Sequence, residues 1–137
     1  MDLLARREHS CRELSAKLLS KGYEPALISE VVVALQAQRL LSDERFTEAL
    51  IRARRARGFG PVRIQRELQE KGIGDELIED KLDFSGRAWL EQLDRVRRKK
   101  FGNALPRSLA ERAKQTRFLQ YRGFTLEQIQ RILNPRD

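Results

Sequence analysis

With 137 residues and a mass of 16.0 kDa, the chain fits one domain of ordinary size, and 40% apolar residues suffice for a core. Lys plus Arg total 28 against 20 Asp plus Glu, a net charge of +8, which favours a polyanionic partner such as nucleic acid or an acidic protein surface. One cysteine, Cys11, and one histidine, His9, exclude a disulfide framework and a zinc cluster, and no apolar run reaches the roughly 18 residues of a membrane span. Nor does Met1-Asp2-Leu3-Leu4-Ala5-Arg6-Arg7 carry the long apolar stretch of a secretory signal, so a reduced, cytoplasmic protein is expected.

In chain order the pattern is helical almost throughout, and no alternating β-branched run of strand length occurs. Ser10 followed by Glu13 predicts a capping box for a helix that ends at Lys21-Gly22-Tyr23. Pro25 suits the first turn of the next helix, whose stripe is Leu27, Ile28, Val31, Val32 and Leu35. Ser42 is a candidate N-cap for a helix carrying Phe46, Leu50 and Ala53 on one face. Gly58-Phe59-Gly60-Pro61 is read as a helix break, with Gly60 as N-cap and Pro61 at the first helical position. It lacks the Gly-Lys-Ser/Thr ending and the preceding strand of a phosphate loop. A helix ending at Lys71-Gly72-Ile73 and a short acidic one follow. Ser85 is a candidate N-cap for a helix bearing Trp89, Leu93 and Val96, and a loop surrounds Phe101-Gly102-Asn103-Ala104. Pro106 suits the first turn of a helix ending at Arg122-Gly123-Phe124, and Thr125 with Gln128 forms a second capping box.

The chain repeats itself. Gly22, Gly72 and Gly123 are spaced by 50 and 51 residues, each preceded by Lys or Arg and followed by an aromatic or isoleucine. Leu18, Leu68 and Leu119 stand four residues before the glycines, and Ile28, Ile78 and Ile129 six after. One device accounts for the set: a helix ends, glycine takes the left-handed position, and the next apolar residue folds back onto a leucine of the last turn. A second repeat, spaced by 43, relates Ser42, Phe46, Leu50 and Ala53 to Ser85, Trp89, Leu93 and Val96. Together they predict an all-α protein of three tandem three-helix repeats, about nine helices, with copies at 1–40, 41–83 and 84–137. Such copies bury their core by stacking into an elongated, curved array; three bundles in one globule are the alternative.

Charge is segregated along the array. Six arginines and no acid lie between Ala49 and Arg66, and six basic residues and no acid between 95 and 110, while Glu67–Asp83 holds seven acids. Helical geometry turns Arg52 and Arg55 away from the Phe46/Leu50/Ala53 stripe and puts Arg95 and Arg98, with Lys99 beside them, in the equivalent place. These are paired candidate anion-binding faces, unless the cations are merely solvated and partly cancelled by pairs such as Glu48 with Arg52 or Glu91 with Arg95. Arg57, Arg63, Arg117 and Arg122 complete the candidate contact set. His9-Ser10-Cys11 lacks a second histidine to act as base and does not form a catalytic constellation, and Glu76 with Asp80 reads as a solvated acidic face; no enzyme activity, metal or cofactor is expected. Each helix–Gly–helix unit has the turn length of a helix-turn-helix, but the second helix of copy two, with Asp75, Glu76, Glu79, Asp80 and Asp83, would be repelled by a phosphate-lined groove.

The residues also carry a resemblance. Ala5-Arg6-Arg7-Glu8-His9-Ser10 with Glu13-Leu14 and Lys17-Leu18 resembles the opening motif of the RecX family of recombination regulators. Asp43-Glu44-Arg45-Phe46, Arg57-Gly58-Phe59-Gly60-Pro61, Ile64, Glu67-Leu68 and Lys71-Gly72-Ile73 resemble its central motif. Lys99-Lys100-Phe101-Gly102 and Arg117-Phe118-Leu119-Gln120-Tyr121-Arg122-Gly123-Phe124 resemble its C-terminal one. The resemblance implies a three-repeat helical protein, a monomer and not an enzyme, that lies in the groove of the RecA–single-stranded DNA filament. It would inhibit ATP hydrolysis, strand exchange and filament growth, a role in DNA recombination, repair and the SOS response. The charge pattern alone leaves a second reading, a basic helical protein that binds DNA directly without RecA. The resemblance departs at the start, where most of the leading helix usual before Ala5-Arg6-Arg7 is lacking, which implies a shortened chain or a misassigned start.

Overall fold

The computed structural model describes residues 7–135. Eight helices lie among them: α1 (Cys11–Ser20), α2 (Pro25–Ala37), α3 (Asp43–Ala56), α4 (Pro61–Glu70), α5 (Asp75–Lys81), α6 (Arg87–Phe101), α7 (Leu109–Arg122) and α8 (Leu126–Leu133). The protein is all-α, as expected. The lead-in ahead of Arg7, with its Ala5-Arg6, lies outside the described residues.

The glycine device works as the repeat predicts. Gly22, Gly72 and Gly123 have φ of 94°, 82° and 104°. In each case the following amide, of Tyr23, Ile73 or Phe124, donates to the carbonyl of Leu18, Leu68 or Leu119 at 3.3, 3.0 and 3.1 Å. The three leucines and the three later isoleucines are buried. Two further helix ends use the same bond. Phe59 donates to the Arg54 carbonyl at 3.1 Å around Gly58, and Leu40 to the Leu35 carbonyl at 2.9 Å around Arg39. Arg39, at φ 60°, holds without glycine a conformation that costs an L-residue about 1 kcal/mol.

Helix starts follow the sequence less evenly. Ser42 Oγ accepts from the Arg45 amide at 3.1 Å, and the Thr125–Gln128 box closes from both sides. At Ser10 only half the box forms, because the Glu13 carboxylate turns instead to Arg7 and Lys71. Ser85 is not a cap: its amide and hydroxyl both donate to Asp83 Oδ1, at 3.0 and 2.7 Å, and Gly86 takes the N-cap position. Pro106 stays in the loop, since Ser108 caps α7 by accepting from the Glu111 amide.

Two compact units are formed, Met1–Leu50 with Glu67–Lys81 and Ile51–Arg66 with Leu82–Asp137. In the first, α1 packs on α2 around Leu14, Leu18, Ile28 and Leu41, with Cys11, Val31, Val32 and Leu35 partly covered. Leu27, expected on this stripe, is 47% exposed, so α2 buries a narrower face than its composition suggests. In the second unit α6, α7 and α8 pack on one another over Trp89, Leu93, Leu119, Phe124, Ile129 and Leu133. Along α3 the buried face is Phe46, Thr47, Leu50 and Ile51, while Ala53 is exposed. Ile51 and Thr47 form the ridge next to Phe46 and Leu50, and Ile51 has far more apolar area to remove from water than the Ala53 methyl.

Within the second unit two helix ends plug into each other. The Gly60 amide donates to the Arg122 carbonyl and the Val62 amide to the Gly123 carbonyl, both at 2.8 Å. Amides at a helix start and carbonyls at a helix end have no partners within their own helices, and here they satisfy each other. A Cβ on Gly60 would lie 2.6 Å from the Gly123 carbonyl carbon and oxygen, so the joint requires glycine. It fixes Arg122 against the chain that carries Arg57, Phe59 and Arg63.

Candidate functional site

The joint forms one side of a bowl in the second unit. Its wall is the end of α3 and the turn after it (Arg55, Arg57, Gly58), the outer face of α6 (Gln92, Arg95, Val96, Lys99, Lys100) and α7 (Phe118, Arg122), around about 420 Å³. Six of the lining side chains are cations, and no carboxylate lines the bowl among the described residues.

Neutral partners hold the guanidiniums. Arg55 lies 4.7 Å over the Trp89 ring, a stack available because Trp89 is anchored in the core and presents one face. Gln92, 94% buried, joins two arginines: its Nε2 donates to the Arg55 carbonyl at 2.6 Å, and its Oε1 accepts from Arg95 Nη1 at 2.7 Å. Arg122 Nη1 donates to the Arg57 carbonyl at 3.1 Å, and its guanidinium sits 5.2 Å from the Phe118 centroid and 5.7 Å from that of Phe59. Lys100 lies 5.6 Å from the Phe118 centroid, and that ring meets Phe101 edge to face at 5.3 Å. Beside the bowl, Arg63 covers Phe59 at 4.0 Å and lies 5.7 Å from the exposed Tyr121 ring.

Of the residues expected from sequence, Arg55, Arg57, Arg95, Lys99 and Arg122 line the bowl, and Arg63 adjoins it through Phe59. Arg52 and Arg117 are exposed and do not line it. Arg98 departs from the expected pairing with Arg95. Its Nε donates to Asp94 Oδ2 at 2.8 Å, while Asp94 Oδ1 takes the buried Arg97, so α6 neutralises two of its cations with the one acid just before the acid-free run. Of the equivalent pairs Arg52/Arg95 and Arg55/Arg98, the bowl therefore takes one member each, Arg95 and Arg55. Glu48 goes to Lys81 rather than to Arg52. Sequence reading missed Lys100, Phe118 and Gln92. Lys100 stood in the basic run, but an internal glutamine that organises two arginines leaves no pattern in the sequence.

Three networks of carboxylates and cations stand in the first unit. Glu13 binds Arg7 through both oxygens, at 2.9 and 2.7 Å, and Lys71 at 3.2 Å. Burial pushes this carboxyl up, but the hydrogen bonds from Arg7 and Lys71 outweigh it and hold its pKa at about 2. Arg45 meets Glu8 at 3.0 Å, and Lys81 meets Glu44 and Glu48, both at 3.0 Å. His9 is buried between the Arg7 carbonyl and Lys17, and burial lowers its pKa. The Cys11 thiol is pushed up to about 11 by burial and by the charge of Asp43, which keeps it in the unreactive protonated form.

Models of the three RecX three-helix domains match the chain in order: the first over residues 1–35, the second over 42–82 and the third over 90–133. Over its whole length the chain is 44% identical to Regulatory protein RecX of Pseudomonas fluorescens (strain SBW25), covering 88% of that protein. With Regulatory protein RecX of Halorhodospira halophila it shares 43% identity over 127 residues, 93% of this chain and 79% of that one. The crystal structure of RecX from Lactobacillus salivarius superposes with a TM-score of 0.83 at 22% identity, covering 98% of this chain and 89% of that one, and so shares the fold.

Proposed function

The chain belongs to the RecX family of regulatory proteins, and from that membership we propose that it is a negative regulator of a RecA-type recombinase. It binds the RecA–single-stranded DNA filament in the filament groove and restrains ATP hydrolysis, strand exchange and filament growth. The observation that carries this reading is the acid-free bowl of six cations, a surface suited to the phosphates and acidic side chains of a protein–DNA filament. Arg55, Arg57, Arg95, Lys99 and Arg122 are its contacts, with Arg63 adjoining them; Arg52 and Arg117 are exposed outer contacts, and Arg98 is a weaker one because Asp94 shares its charge. The protein acts as a cytoplasmic monomer built of repeats 1–40, 41–83 and 84–137, without catalysis of its own.

A second reading, direct binding of DNA without RecA, is favoured by the same lack of carboxylates. Sequence-specific reading by a helix-turn-helix is disfavoured, because Asp75, Glu76, Glu79 and Asp80 are all exposed on α5. Titration of the protein into RecA turning over ATP on single-stranded DNA tests the first reading: hydrolysis falls at protein concentrations below that of RecA. Unchanged hydrolysis across the titration, with folded protein, refutes it. Capture on RecA filaments, compared with capture on naked single-stranded DNA and on free RecA, separates the two readings.

A further inference from the structure

We propose that the bowl is a built receptor for the phosphates of a nucleotide, going beyond general attraction to a polyanion. What distinguishes it is that three arginines held by neutral partners converge on one wall, whereas Arg112, held by the Leu133 carbonyl and the Asn134 side chain, lies outside it. Elsewhere in the chain Arg7, Arg45, Arg97 and Arg98 are positioned by carboxylates, Glu13, Glu8 and Asp94, and their charge is cancelled where they stand. In the bowl Arg55 is positioned by the face of Trp89, Arg95 by the Gln92 amide oxygen and Arg122 by the Arg57 carbonyl. Each partner orients a guanidinium and leaves its charge uncancelled. Preorganised cations without counter-charge on a concave wall repel one another until an anion enters, and the anion then finds its donors already in place.

The anion's chemistry follows from the donors. A side-chain carboxylate offers one charge and two oxygens, too little for six cations. Phosphate offers more acceptor oxygens in the geometry that guanidinium forks match, and two or three linked phosphates approach the charge of the bowl. A volume of 420 Å³ suits one nucleotide. Val96 and Phe118 give the wall an apolar part on which a sugar or base can rest. The phosphates have two sources, a free nucleoside triphosphate or two to three consecutive phosphodiesters of single-stranded DNA.

The test uses the whole chain without any recombinase, so its failure leaves the regulator reading to the ATPase titration. Three probes are measured by fluorescence anisotropy or calorimetry: ATP, a twelve-residue oligo(dT), and a glutamate peptide of matched charge. Binding of ATP or oligo(dT) at least tenfold tighter than the peptide is expected, and whichever binds identifies the source. Gln92→Leu removes no charge but frees Arg95 and the Arg55 carbonyl, and a loss of fivefold or more is expected. Arg95→Gln, at an exposed position that does not threaten folding, is expected to lose as much, while Arg117→Gln outside the bowl loses less than twofold. Equal binding of the peptide overturns the proposal, as does absence of binding by both nucleotide probes. So does wild-type affinity in folded Gln92→Leu; if that variant does not fold, wild-type affinity in Arg95→Gln decides in the same way.

Discussion

Around Glu13 in the first unit, one buried carboxylate gathers an arginine and a lysine at 2.7 and 3.2 Å, and the local charge serves to tie the start of α1 to the end of α4. Around Gln92 in the second unit, a buried amide of nearly the same shape gathers an arginine and a backbone carbonyl, and all six cations nearby keep their charge. Both sites use a side chain that orients a guanidinium by hydrogen bonds. The difference between acid and amide divides charge used for holding the chain together from charge left for an anionic partner.

The largest expected effect breaks the bowl at its joint. Gly60→Ala would drive a methyl into the Gly123 carbonyl and the Phe124 amide, both backbone, and disrupt the bonds between the ends of α4 and α7. A loss of about 3 kcal/mol or more is expected in urea unfolding, together with loss of anion binding. If stability and binding both survive, the joint does not organise the bowl.

The pairing in the first unit is tested next. Glu13→Gln should cost about 2 kcal/mol, since it weakens charge-assisted bonds to both Arg7 and Lys71. Because the carboxyl sits at about 2 when folded against 4.5 as its ordinary value, its contribution is fully present above 4.5. It is lost as the pH falls from 4.5 toward 2, where the unfolded chain binds the extra proton first. Wild type and Glu13→Gln should therefore converge in thermal stability over that window, and parallel curves would contradict the assignment.

A smaller effect is expected at Gly22, which has the left-handed conformation that Gly60 lacks, with φ 94°, but nothing within 4 Å of an added Cβ. Gly22→Ala should cost only the backbone strain, about 1 kcal/mol, against the far greater loss at Gly60. Equal losses in the two variants would mean that the close approach at Gly60 costs no more than the left-handed strain at Gly22.

The smallest effect has the opposite sign. Arg95→Gln removes one of six like charges, so its stability should match wild type or exceed it by up to about 0.5 kcal/mol, and the gain should vanish in 0.5 M salt. A clear destabilisation would show that Arg95 serves the fold, as the cations around Glu13 do.

The helix ends were legible in the chain because they depend on residues five or six apart: a leucine carbonyl, a glycine that accepts the left-handed turn, and the next amide. The repeat at Gly22, Gly72 and Gly123 therefore yielded the all-α tandem fold directly, and the candidate contact set held five of the bowl's six cations, four of them from the basic runs. Which cations keep their charge was decided by tertiary structure. Asp94 neutralises Arg97 and Arg98 but not Arg95, since neighbouring positions on a helix face different surroundings, and Glu48 reaches Lys81, 33 residues away, in preference to Arg52. Gln92 and the Gly60–Gly123 joint act on groups 37 and about 60 residues distant in the chain. Local hydrogen bonds fix where a helix stops, whereas the electrostatic state of an exposed arginine depends on what folding brings within a few ångströms of it.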